Sequence, residues 1–135
     1  MITHFADTFY FLALLNADDR ANAAATRWAS SPSGPLITTC WVLTEVADAM
    51  SPPASRHLAL ALISGLRRNL AVEIVPPDLD LFDRGLDLYA RRPDKAWSLT
   101  DCISFVAMTD RGLTEALTGD HHFEQAGFRA MFRSL

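Results

Sequence analysis

Four carboxylates spread along the chain, Asp7, Glu45, Asp101 and Asp120, are the residues whose type and placement point to chemistry. Each reads as lying at the junction between an apolar strand-like run and a helix-like run, or about one turn into that helix. In an open parallel sheet those junctions fall along one edge, so acids far apart in sequence can share a single pocket. Carboxylates a few ångströms apart repel, and a protein tolerates them by protonating one or by placing a divalent cation among them. With oxygen donors only, Mg²⁺ or Mn²⁺ is the expected ion.

Each acid also has a plainer reading. Asp7 and Asp120 stand where a helix N-cap is expected, and capping alone would account for either. Glu45 is harder to dismiss: its neighbours one turn away include Trp41, Val42 and Ala49, which puts the carboxylate near a buried stripe where an unpartnered charge is costly. Asp101 opens the run Cys102-Ile103-Ser104-Phe105-Val106-Ala107-Met108, apolar nearly all round and so expected in the interior. Ser98 and Thr100 can cap that helix without a charge, so capping does not require Asp101. His121-His122 invites a zinc reading. Adjacent helical residues point about 100° apart, however, and no zinc-type His or Cys spacing accompanies the pair, so zinc is not expected.

The elements that must position these acids follow from periodicity and from breakers. Strands are expected over Ile2 to Ala6, Leu36 to Thr38, Val72 to Val75 and Glu115 to Thr118. A helix follows Asp7-Thr8, and a second starts near Asp18-Asp19 and runs to Trp28. Others span Thr39 to Met50, Ala54 to Asn69 (Leu58, Leu62 and Leu66 at four-residue spacing), Asp78 to Ala90 and Thr100 to Arg111. The Asp78 helix is read as carrying Leu79, Phe82, Leu86 and Tyr89 on one face. Pro52-Pro53 and Pro76-Pro77 act as stops, and a hydrophobic stretch around Phe128 to Phe132 closes the chain. Alternating short strands and helices imply an α/β fold with a mainly parallel sheet.

A chain of 135 residues, half of them hydrophobic, fits one compact domain over residues 1–135. No basic leader precedes the first strand and no apolar run approaches the roughly 18 residues of a membrane span, so a cytoplasmic location is expected. Cys40 and Cys102 read as reduced core residues. A net charge of −4 argues against nucleic-acid binding by bulk electrostatics, so any such contact must be local. The candidates are Arg67-Arg68, the loop Arg91-Arg92-Pro93-Asp94-Lys95, and Arg129 with Arg133. The second lies just before Trp97 and Asp101: Arg91, Arg92 and Lys95 are the expected phosphate contacts, with Trp97 either stacking on a base or lying in the core.

Phe5-Ala6-Asp7-Thr8, Thr44-Glu45-Val46, Leu99-Thr100-Asp101-Cys102-Ile103-Ser104-Phe105, and Leu117-Thr118-Gly119-Asp120-His121-His122-Phe123 with Ala126-Gly127-Phe128 resemble the successive motifs of PIN-domain ribonucleases, in particular VapC-like toxins. Each motif alone is weak, and the four in order span nearly the whole chain. The resemblance implies a three-layer α/β/α fold with about five mainly parallel strands. It also implies a metal-dependent endoribonuclease with an RNA substrate, often a small antitoxin as partner, and a possible homodimer. By position, Asp7, Glu45, Asp101 and Asp120 would be the metal-binding acids, and Thr8, Ser104 and Thr118 hydroxyls that orient them. Two departures bear on groove shape: Asn22 where a histidine is frequent, and Phe9 where a small or polar residue is common.

Two rivals remain. A phosphoacceptor receiver would need an acidic pair at the first strand end and a lysine near the last strand, and neither is present; the glycines form no nucleotide-binding loop. A PIN-like fold acting mainly by binding a protein partner, with little nuclease activity, is separated from the nuclease by a metal-dependent cleavage assay.

Overall fold

The computed structural model describes residues 1–133. Five strands form one sheet: β1 (His4–Ala6), β2 (Leu36–Thr39), β3 (Val72–Val75), β4 (Glu115–Leu117) and β5 (Arg129–Ala130), in the order β3-β2-β1-β4-β5. Every neighbouring pair is parallel. Seven helices flank it among the described residues: α1 (Thr8–Leu15), α2 (Asn22–Ser30), α3 (Cys40–Ala49), α4 (Arg56–Arg68), α5 (Leu79–Arg91), α6 (Leu99–Asp110) and α7 (His121–Gln125). The chain moves outward from β1 through β2 to β3, then returns to the other side of β1 with β4. That reversal makes the carboxyl edge between β1 and β4 the topological switch point, where open α/β sheets place their sites.

The interior explains the apolar runs. All three residues of β1 are buried, as a strand covered on both faces requires. Helix α6 buries Cys102, Ile103, Ser104, Phe105, Ala107 and Met108, and removing a side chain such as Ile103 from this packing would cost about 2 to 5 kcal/mol. Its ends are closed by local chemistry. Ser98 accepts from the Asp101 N–H while Asp101 accepts from the Ser98 N–H, a reciprocal cap. At the other end Gly112, at φ 65°, lets the Gly112 and Leu113 N–H groups reach the carbonyls of Thr109 and Met108.

Several local expectations shift. Strand β1 begins at His4, and Ile2 is 56% exposed. Helix α2 starts at Asn22 instead of Asp18-Asp19, because Asn16 and Asp19 turn their side-chain oxygens onto the N–H groups of Asp18 and Ala21 and hold this stretch in turns. The closing segment contains α7 and the edge strand β5. Helix α6 follows another helix, α5, across a polar loop, so Asp101 does not sit at a strand-to-helix junction as the other acids do.

The buried face of α5 is also different. Leu81 and Gly85 face inward, while Leu79, Leu86 and Tyr89 are 72%, 43% and 50% exposed. Gly85 decides this: a Cβ there would stand 2.4 Å from Ile103 Cγ1 and 3.0 Å from Ile103 Cα, so the glycine side is where α6 closes on α5. Both cysteines are free, Cys102 buried and Cys40 partly so, as expected.

Candidate active site

The four acids meet. Asp7, Thr8, Glu45, Asp101, Asp120 and His122 line a single cleft of about 440 Å³, with Phe9, Ala96, Ser98 and Gly119 completing its walls. Asp7 and Asp120 stand at the helix N-caps that follow β1 and β4, and Glu45 lies in the second turn of α3, which follows β2. The fourth is delivered by the N-terminus of α6. A slightly larger cavity of about 480 Å³ between α5, α6 and the Gln125 to Phe128 segment contains none of them.

Hydroxyls hold two of the carboxylates. The Thr118 hydroxyl donates to Asp7 Oδ2 at 2.8 Å and accepts from the Asp120 N–H at 3.1 Å, tying the ends of β1 and β4 together. Thr8 donates to Glu45 Oε1 at 2.5 Å, linking the first turn of α1 to α3. A further hydroxyl, that of Thr38, donates to the Ala6 carbonyl beside Asp7. Ser104 departs from expectation: it is fully buried and its hydroxyl has no hydrogen-bond partner, so it orients none of the acids.

The capping readings resolve differently at each acid. Asp7 occupies the N-cap position of α1 yet makes no side-chain cap bond. Asp120 does cap α7, accepting from the His122 N–H at 2.9 Å. Asp101 belongs to the reciprocal cap with Ser98 and so combines the structural role with its place in the cleft. His122 joins the cleft without having been singled out by its sequence: its Nδ1 lies 3.2 Å from Asp101 Oδ2 and 3.3 Å from Asp120 Oδ1. Its two-residue offset from Asp120 was the available signal, and reading the pair His121-His122 only as a zinc motif hid it.

Electrostatically the cleft is under strain. Burial pushes the Asp7 carboxyl up from 3.8 to about 7, and the charges of Asp101 and Asp120 push the same way against the Thr118 hydrogen bond. Burial also raises Asp101, reinforced by Asp120 and opposed by the Ser98 N–H and by His122. These are the shifts expected of like charges gathered in a partly dry site, and a divalent cation would relieve them. The carboxylate-rich lining suits such an ion, and the donor atoms of Asp120, His121 and His122 already stand within 4.8 Å of one another.

The expected RNA loop is more self-contained than its sequence suggests. Arg91 pairs with Asp87 at 2.8 Å, and Arg92 holds both oxygens of Asp94 at 3.0 Å. Trp97 is buried, 6% exposed; it donates to Gln125 and packs edge-on to Phe105 under the Arg92 guanidinium, so it is a core residue and no stacking platform. The two departures are likewise explained. Asn22 donates to the Ala13 carbonyl and joins α2 to α1. Phe9 lays its ring over Gly119, where a Cβ would come within 2.5 Å of it.

A parallel sheet of this order with acids gathered at its switch point defines a recognisable class: the PIN domain matches residues 5–129, and this chain belongs to the PIN-domain family. Within it, the chain is 30% identical to the 23S rRNA-specific endonuclease VapC20 of Mycobacterium tuberculosis, in strains CDC 1551 / Oshkosh and ATCC 25618 / H37Rv. That match runs over 125 residues, 92% of this chain and 94% of the relative. The crystal structure of Mycobacterium tuberculosis VapC20, a sarcin-ricin loop cleaving toxin, superposes with a TM-score of 0.83 at 27% identity, covering 92% of this chain and 95% of that one. The fold is shared at lower identity with DNA-bound VapBC from Salmonella typhimurium (TM-score 0.67, 16% identity, 96% and 97% covered). It is shared too with FitAcB from Neisseria gonorrhoeae (TM-score 0.63, 17% identity, 96% and 95% covered). No helix among the described residues is long and apolar enough to cross a membrane.

Proposed function

We propose that this protein is a VapC-type endoribonuclease, dependent on Mg²⁺ or Mn²⁺, that hydrolyses phosphodiester bonds in RNA as the toxin of a toxin–antitoxin pair in the cytoplasm. The observation that carries the reading is the convergence of Asp7, Glu45, Asp101 and Asp120 from four separate segments on one cleft. The identity to VapC20 over nearly the whole chain favours nuclease action over mere partner binding and points to structured ribosomal RNA as the substrate class.

A divalent cation bound among the four acids supplies Lewis acidity: it lowers the pKa of water and neutralises charge developing on the scissile phosphate. The chain's own residues do the rest. Asp7, ionised and fixed by Thr118, and Asp101, fixed by the Ser98 N–H, are the principal anchors for the ion. Glu45, steered by Thr8, and Asp120, fixed as the cap of α7, complete the site or accept a proton from the attacking water. Phe9 walls the cleft from a neighbouring depression lined by Asp19, Arg20, Phe132 and Arg133. RNA phosphates approach a net-acidic protein through local cations, with Arg91, Arg92 and Lys95 in the loop that leads to α6 and Arg20 and Arg133 in the depression beside Phe9 as the candidates.

The test is cleavage of a hairpin from large-subunit ribosomal RNA with Mg²⁺, Mn²⁺ or EDTA. Asp101→Asn keeps the side-chain volume and an oxygen for the cap. It is expected to retain stability within about 1 kcal/mol while losing cleavage by at least 100-fold. Wild-type rates in that variant, or undiminished cleavage in EDTA, would refute the assignment.

A further inference from the structure

Two donor atoms that can ligate the same ion as neighbours stand apart by a distance set by the ion. At bond lengths of about 2.1 Å, adjacent corners of an octahedron are about 3.0 Å apart. His122 Nδ1 meets that spacing twice, at 3.2 Å from Asp101 Oδ2 and 3.3 Å from Asp120 Oδ1. Asp120, His121 and His122 bring one donor atom each within 4.8 Å of one another, and Asp101 reaches this group through its contact with His122 Nδ1.

Both carboxylates are anchored by bonds that do not involve the imidazole. Asp101 Oδ2 accepts from the Ser98 N–H, and Asp120 Oδ1 accepts from the His122 N–H. A carboxylate oxygen has a second lone pair, so each can keep that bond and still face a cation. The imidazole is held in turn: His122 is only 19% exposed at its side chain, against 56% for His121, and it belongs to the short helix that Asp120 caps. With no ion bound, Nδ1 can donate its proton to either carboxylate; ligating an ion would need the other tautomer, with the proton on Nε2 and the Nδ1 lone pair turned to the cation.

We propose that His122 is a direct nitrogen ligand of the cation held by Asp101 and Asp120, and that it biases the site toward transition-series divalent ions over Mg²⁺. The inference rests on the metal-site reading above and adds a ligand to it. Mg²⁺ prefers oxygen and gives up water reluctantly, whereas imidazole nitrogen suits the later divalent metals. One histidine joining two of the acids is a different arrangement from the His121-His122 zinc pair, and it leaves His121 at the rim. The competing role for His122 is a hydrogen-bond clamp on the two carboxylates, with no bond to metal.

The deciding experiment is pulsed EPR of the full-length protein loaded with Mn²⁺, reading ¹⁴N modulation of the electron spin echo, beside calorimetric titrations with MnCl₂ and MgCl₂. Wild type and His121→Gln are expected to show nitrogen coupling, and His122→Gln to lose it. The preference for Mn²⁺ over Mg²⁺ should fall roughly tenfold or more in His122→Gln. Circular dichroism and the retained Asp120 cap check that this variant is folded. Nitrogen coupling absent in wild type that binds Mn²⁺ saturably would overturn the ligand and leave the acid site standing. Coupling or ion preference unchanged in His122→Gln would overturn it equally. No saturable Mn²⁺ binding in wild type would sink both this inference and the metal-site reading.

Discussion

Asp7 shows how the site trades stability for a place to hold charge. Its carboxyl is pushed up to about 7 by burial, so the folded protein binds a proton that the unfolded chain, titrating near the ordinary carboxylate value, has released. The sign follows from linkage: Asp7's contribution to stability is full below about pH 4 and is lost as pH rises through about 7. Asp7→Asn removes that loss. In EDTA near pH 8 the variant is expected to melt roughly 3 °C or more above wild type, with the gap closing near pH 4, when thermal unfolding is followed across pH. With Mn²⁺ present the order should reverse, since the amide is a poorer ligand. Equal melting temperatures at every pH in EDTA would show that the Asp7 charge is not held under strain.

Among the elements that frame the cleft, the end of β4 carries a close steric constraint. Gly119 has no Cβ because the Phe9 ring from α1 occupies that space, with ring atoms 2.5 to 3.1 Å from where it would be. The same ring packs 6.3 Å from Phe132 and forms one wall of the acid cleft. Gly119→Ala must therefore push the ring toward the cleft or strain the turn, at about 1 to 3 kcal/mol. Cleavage is expected to fall in Gly119→Ala and to recover in the double variant with Phe9→Ala, measured as kcat on a short RNA. Failure of the second change to rescue the first would place the defect in the turn itself. Helix α5 teaches a related lesson. Its sequence has apolar residues on two sides, and counting them favours Leu79, Phe82, Leu86 and Tyr89. Phe82 does pack on the core, against Trp41, but the structure buries the side bearing Gly85, because close approach of α6 needs the absence of a side chain, which a hydrophobic count does not register.

For the molecule as a whole, charge and exposed apolar surface direct what it meets. The net charge of −4 means that RNA is held by local cations, and those in the loop before Trp97 are already partnered by Asp87 and Asp94. Arg91→Ala with Arg92→Ala is expected to flatten the salt dependence of RNA binding by about one charge equivalent, less than two unpaired cations would, with metal affinity unchanged. An unchanged slope in filter-binding titrations would take this loop off the RNA path. The homodimer that the family resemblance implies can be tested at the stripe of Leu79, Leu86 and Tyr89 left exposed on α5. Leu86→Asp with Tyr89→Asp should convert a dimer to a monomer in light scattering without loss of helical signal. A wild-type protein that is monomeric at high concentration would remove that role.

What the sequence determined by itself was the acid set and the scaffold class. Asp7, Glu45 and Asp120 sit beside breaks that local chemistry announces: the close of an apolar strand, a Thr cap, a glycine turn. Alternating strand and helix signals are enough to imply the parallel sheet that gathers them. Asp101 was legible from the all-round apolar helix it opens. The tertiary structure alone decided that Asp101 also completes a cap, that His122 stands between two of the acids, that the Ser104 hydroxyl bonds to none of them, and that Trp97 is core. It also decided which face of α5 is buried. The physical reason is the same in each case. Periodicity and caps report on neighbours a few residues away, while these outcomes depend on which distant segment packs against a residue once several alternatives satisfy the local pattern equally well.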